Sequence, residues 1–259
     1  MSPVLLIGVL VAQGLLMPVL AVLLAGLEGW FAARLAGVPP PPLLLPWRAV
    51  RGGFGRQKVR REGASVLTAG GPAMIFAVTW AAACAVPVAG AGGDALAVAG
   101  LLMLARVLAT GGEDRVALVA EPMLLLALLV RGLPDGGAAG PIGVAALAAA
   151  VLVLTGRGEF NTEASGGDLA LLRLAAFLRR LVLFALLAGQ VVPDPGEGFE
   201  RRLVAVAATA GVVLVLAGAS VLARTAWAPQ RPGRRREGLI AGVVLAVLAV
   251  LVGLLEAGS

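Results

Sequence analysis

The constraint that dominates this chain is the spacing of its charges. They fall in short clusters, and between the clusters the sequence runs apolar for lengths that match a bilayer. A transmembrane helix needs roughly 20 such residues. Eight stretches qualify, at about 3–27, 69–89, 94–110, 115–131, 140–155, 171–192, 203–223 and 238–256. Those near 94–110 and 140–155 are the weakest, being short and rich in alanine. Of the 259 residues, 59% are hydrophobic and 14% charged, and the mean hydropathy is +0.97. A soluble domain carries about 25% charged residues to cover its surface, so that class is excluded, and disorder with it. Open strands cannot span lipid, and no ten-residue alternation points to a barrel. The expectation is an all-α polytopic membrane protein of about eight helices, folded as one integral membrane domain over 1–259.

Cation placement gives an orientation. The loops after the first, third, fifth and seventh stretches, with their flanking turns, hold sixteen of the 21 Lys and Arg residues. The opposite side holds Arg131, Arg201 and Arg202, while Arg179 and Arg180 fall inside the sixth stretch. The positive-inside rule then puts the odd loops in the cytoplasm and both termini in the periplasm of a bacterial inner membrane. The first run has no basic residue before it and is long enough to span, so it reads as a retained helix and not a signal peptide. A pI of about 11.3 would suggest nucleic acid in a soluble protein. Here the cations sit between apolar runs and suit anionic lipid instead.

The chain lacks histidine and tyrosine and has one cysteine, Cys84, inside the apolar run WAAACAVPV. Histidine ligation, a histidine proton relay and an internal disulfide are therefore excluded, and one thiol cannot hold an iron–sulfur cluster. No catalytic or metal-binding residue is expected, and redox cofactors belong to a partner. No internal repeat is seen, so an inverted-repeat transporter has no support.

Five segments carry chemistry. Residues 28–66 form a Pro/Arg-rich loop, with Pro39–Pro42 followed by LLLPWRAV and a Gly/Arg run. Four prolines favour polyproline II. After Pro46 the sequence allows a short amphipathic helix at the membrane surface, with Trp47 and Phe54 in the interface. This loop reads either as a basic segment on anionic lipid or as a platform for a cytoplasmic subunit. Next come Glu113 and then Glu121-Pro122. An acid inside a span costs about 2–3 kcal/mol unless it finds a partner or water. Pro122 would leave the Leu118 carbonyl free. The alternative is an interfacial glutamate near a helix start. Third, Glu159, Glu163 and Asp168 precede the sixth span. They read as a carboxylate cluster, or as solvated loop with Asp168 as a cap. Fourth, Arg179-Arg180 lie about two turns into that span. They either snorkel to the interface or pair with Glu121, Glu159 or Glu163. Fifth, Ala219-Ser220-Val221-Leu222-Ala223-Arg224 ends the seventh span.

Taken in order, these segments resemble the complex I subunit 1 family. It includes the quinone-site membrane subunit of bacterial NADH:quinone oxidoreductase and relatives in membrane-bound [NiFe] hydrogenases, subunit 4 of formate hydrogenlyase being most similar. The family's Pro-aromatic turn and basic helix match Pro46-Trp47 through Arg60-Arg61-Glu62. Its Arg-Glu and Glu-Pro match Gly112-Glu113 and Glu121-Pro122. Its Glu-Tyr-Ser-Gly-Arg-Asp-Leu-Ala-Leu pattern matches Glu163 through Leu171, and its Glu-Ser-x-x-Ala-Lys pattern matches Ala219 through Arg224. Ala219 stands where the family has glutamate, Gly112 stands where it has arginine, and the acidic stretch after the fifth helix is shortened.

The resemblance implies eight helices and a membrane-anchor role with no redox centre in the chain itself. The chain would dock a peripheral redox arm through Pro46, Trp47, Arg48, Arg51, Arg56, Lys58, Arg60, Arg61 and Glu62. It would help couple electron transfer to proton or sodium movement through Glu113, Glu121, Glu159, Glu163, Asp168, Arg179 and Arg180. The implied partners are an iron–sulfur small subunit, a hydrogenase-like large subunit and antiporter-like membrane subunits, besides the bilayer. Iron–sulfur clusters, and a NiFe centre in the hydrogenase case, would lie in those partners. Quinone would bind if the chain is the quinone-site subunit of a complex I. A stand-alone carrier and a purely structural anchor are the other readings.

Overall fold

The computed structural model describes residues 3–56, 66–86, 95–110, 148–151, 166–192, 199–227, 244, 247, 248 and 251. All regular structure among them is α-helical. The main helices are α1 (Pro3–Leu35), α2 (Leu45–Phe54), α3 (Val66–Ala85), α4 (Ala95–Thr110), α5 (Gly166–Val191) and α6 (Phe199–Trp227). The expected spans at 115–131, 140–155 and 238–256 lie wholly or mostly outside the described residues. Val11–Leu35 and Glu200–Thr225 are long and apolar enough to cross a membrane, while Gly70–Ala85 and Ala95–Ala109 are apolar but shorter. At about 1.5 Å per residue, either long segment exceeds the roughly 30 Å hydrocarbon core. Both turn apolar side chains outward: Leu15 is 68% exposed and Val215 71%. Surfaces of that kind belong in lipid, not water.

Helix α1 continues eight residues past the end expected from its apolar run, so residues 28–35 are helix and not loop. Nothing in that stretch breaks a helix. The stop comes at Gly37, whose φ of +69° is left-handed. The Val38 N–H donates to the Ala33 carbonyl at 2.9 Å. That pairing and the glycine make a Schellman-type end, and Pro39 follows where a helix cannot go on. Helix α2 forms where the proline-led amphipathic pattern predicts it. Pro46 sits in its first turn, where a missing N–H costs no helical bond.

Contact clustering divides the chain into two compact units: residues 1–85, 100–113 and 158–182, and residues 86–99, 114–157 and 183–259. In the first unit α1 and α3 are joined by two side chains that donate to open backbone carbonyls. Pro18 lies inside α1. It has no N–H for the Gly14 carbonyl four residues back. The Trp80 indole donates to that carbonyl at 2.7 Å. A Cβ at Gly14 would sit 3.1 Å from the Cys84 sulfur and at ordinary contact distance, 3.8 Å, from the indole. At the other helix, the Ala83 carbonyl lies in the last turn of α3, and the residue four further on is Pro87. Gln13 donates to that carbonyl at 3.0 Å. In lipid each unsatisfied backbone group costs several kcal/mol, so these two bonds satisfy the carbonyl that Pro18 leaves open and one in the last turn of α3. A small apolar cluster of Ile75, Leu172 and Ala175, with Phe76, Leu108 and Ala109 around it, joins α3, α4 and α5.

In the second unit, the side chains of α5 from Leu183 to Ala188 are all buried. In α6, Ser220 is fully buried and donates to the Ala217 carbonyl at 2.8 Å.

Candidate functional site: a buried ion pair and an arginine-rich shelf

Among the described residues, two charged side chains are buried, Glu28 on α1 and Arg179 on α5, and Arg180 beside them is partly buried; all three lie in the first unit. Glu28 and Arg179 are each 4% exposed, and the Arg180 side chain is 12% exposed. The Arg180 guanidinium donates through Nη1 to Glu28 Oε2 in a hydrogen-bonded ion pair. Glu28 stands seven residues before the end of α1, about 10 Å along the axis. Arg180 stands fourteen residues after the start of α5, about 21 Å along. Helix α5 begins at Gly166, five residues before the expected start. The arginines lie about four turns inside the helix. Arg179 and Arg180 are held within the protein and do not snorkel outward.

Two charges taken out of water and joined by a hydrogen bond form a costly pair whose loss of either member costs more.

The same two helices hold the shelf. The chain leaving α1 turns back so closely that a Cβ on Gly26 would lie 1.9 Å from the Leu43 carbonyl oxygen. That crossing is two residues from Glu28. Helix α2 then meets the start of α5: a Cβ on Gly53 would lie 2.8 Å from the Ala170 Cβ and 3.2 Å from the Gly166 carbonyl. Val50 is buried on this side, while Trp47, Arg48, Arg51 and Arg56 are exposed and Pro46 is half-buried. Glycine is thus required at two crossings that tie the shelf to the helices of the ion pair.

Of the coupling residues read from the sequence, Asp168 lies in the first turn of α5, where a carboxylate suits the helix dipole. It is inside the helix and not before it. Glu113, Glu121, Glu159 and Glu163 lie outside the described residues, as do Lys58, Arg60, Arg61 and Glu62 of the docking set. Glu28 is absent from the sequence-derived set because it begins the segment that reads as loop. Its signal is present in the sequence all the same: an acid next to an apolar run, with arginines inside another. In the second unit, Arg224 folds back along α6, its guanidinium 3.0 Å from Ser220 Oγ.

No protein-family model matches the chain, and no curated protein matches it in sequence. Among solved structures, it matches a chain in the structure of the membrane-bound sulfane sulfur reductase (MBS), an archaeal respiratory membrane complex. The TM-score is 0.67, over 96% of this chain and 99% of that one, at 13% sequence identity. The two chains share a fold along nearly their whole lengths.

Proposed function

We propose that this chain is a membrane subunit of a complex-I-like respiratory oxidoreductase, of the type found in membrane-bound hydrogenases. In this reading it anchors a peripheral redox arm and helps couple electron transfer to ion movement. The observation that carries the proposal is the end-to-end fold match with a chain from a respiratory membrane complex. The sequence resemblance to the complex I subunit 1 family supports the same assignment by a separate route. Eight spans with periplasmic termini, in a bacterial inner membrane, belong to this reading.

The iron–sulfur small subunit and hydrogenase-like large subunit would bind on the basic shelf, chiefly Arg48 and the run from Arg56 to Glu62. Antiporter-like subunits would lie alongside in the bilayer. Iron–sulfur clusters and a NiFe centre belong to the partners; this chain supplies charge, shape and anchorage. Glu28 and Arg180 join the sequence-derived set of Glu113, Glu121, Glu159, Glu163, Asp168 and Arg179 as coupling residues. Redox-linked charge above the shelf would act on the pair through space, and a shift of α2 would reach it through the crossings at Gly26 and Gly53.

The test uses the assembled complex with Glu121→Gln or Glu163→Gln. Each variant complex should assemble and turn over its electron donor while moving fewer ions per electron. Full ion movement in both would show that the chain anchors without coupling.

A further inference from the structure

Between Glu28 and Glu62 the sequence carries seven cations and no acid. From Gly29 to Arg56 it also has no serine, threonine, asparagine or glutamine. What this stretch exposes is apolar carbon and guanidinium, arranged in a repeated pattern. On α1, Arg34 lies four residues after Trp30 and its guanidinium sits over the indole, 5.0 Å from the ring centre. On α2, Trp47, Arg51 and Phe54 stand at spacings of four and three, which puts them on one stripe of the helix. All three are exposed: Trp47 49% and Phe54 55%, with Arg51 between them. The roll of α2 that presents this stripe is fixed by Val50, buried at 1%, and by the close approach of Gly53 to α5. Leu43, Leu44 and Leu45 are exposed beside it.

We propose that α2 and the last turns of α1 form a binding site for anionic phospholipid. Trp47, Phe54 and the leucines take the glycerol and upper acyl region, and Arg34 and Arg51 take the phosphates. Aromatic rings at the headgroup level with arginines beside them match what that layer offers. Seven cations with no acid among them favour an occupant that carries negative charge. Arg48 lies off the stripe and stays available to a docked subunit. The site needs only that the chain sit in a membrane, and is independent of the electron-transfer reading.

The test is lipid binding to the purified full-length chain in mild detergent, read by native mass spectrometry during titration with phosphatidylglycerol or phosphatidylcholine. Each arginine near an anionic headgroup contributes roughly a fivefold gain. Phosphatidylglycerol should therefore bind the unaltered chain about thirtyfold more tightly than phosphatidylcholine. The double variant Arg34→Gln/Arg51→Gln should lose most of that preference, and Arg34→Lys/Arg51→Lys should retain it. Equal binding of the two lipids by the unaltered chain would overturn the site. So would an undiminished preference in the glutamine variant.

Discussion

Removing the carboxylate of Glu28 should destabilise the protein sharply, and removing its partner as well should undo most of the damage. With side chains 4% and 12% exposed, Glu28 and Arg180 are nearly as desolvated as a pair can be, so little of their interaction is screened. Breaking such a pair from one side costs about 3–5 kcal/mol, because a buried charge is left uncompensated. Replacing both charges with apolar groups of similar size is often neutral or stabilising. Glu28→Leu and Arg180→Met should each lower the melting temperature of the detergent-solubilised chain. At about 2–4 °C per kcal/mol for a chain of this size, the lower end of the cost corresponds to about 6–12 °C. The double variant should melt close to the unaltered protein. The cycle then yields a coupling of about 3 kcal/mol or more between positions 152 residues apart. Additive losses in the double variant would refute the argument, since they would mean that the two charges do not rely on each other.

Three further outcomes follow from the same helices. Trp80→Phe keeps the ring and deletes the donor to the Gly14 carbonyl. It should cost about 1–3 kcal/mol, and Pro18→Ala in that background should recover part of the loss by restoring a helical N–H; thermal melts of the two variants check this. Gly26→Ala should be among the most damaging single-methyl insertions in the chain, because the nearest atom is backbone at Leu43 and not a side chain free to turn. Its loss, read by melting temperature, should exceed the roughly 1–3 kcal/mol usual for overpacking, while Gly29→Ala, with open space around it, should cost almost nothing. Gly53→Ala should push α2 from α5 and be visible as faster proteolysis between Pro46 and Arg56, with α1 and α3 unaffected.

The helical class and the position of α2 are legible in the sequence because both depend on local pattern. Apolar length fixes the first, and a proline in the opening turn with aromatic and cationic residues at helical spacing fixes the second. The end of α1 is not legible from hydropathy, which falls at Glu28, whereas the helix runs through Gly29 and stops only at the left-handed turn of Gly37. That single shift hides the ion pair: placed in a loop, Glu28 has no reason to meet the arginines of α5. Residues 121, 159 and 163 are all nearer to Arg180 along the chain, and proximity in sequence favours them as its partners. The crossings at Gly26 and Gly53 are contacts between segments distant along the chain, and no local signal marks a glycine as a crossing point. The freed carbonyl expected before Pro122 has a realised counterpart at Pro18, where a tryptophan from another helix takes it up.

If the chain works as one subunit among several, with redox chemistry supplied by a neighbour on its shelf, its companions should leave the membrane with it. Isolation of the full-length chain from its native membranes in mild detergent, with its companions identified by mass, tests this most directly. The account predicts that an iron–sulfur protein and a large redox subunit co-purify in stoichiometric amounts. It also predicts that they are lost when Arg48, Arg56, Lys58, Arg60 and Arg61 are neutralised together. A chain that purifies alone and transports a solute into liposomes would contradict it.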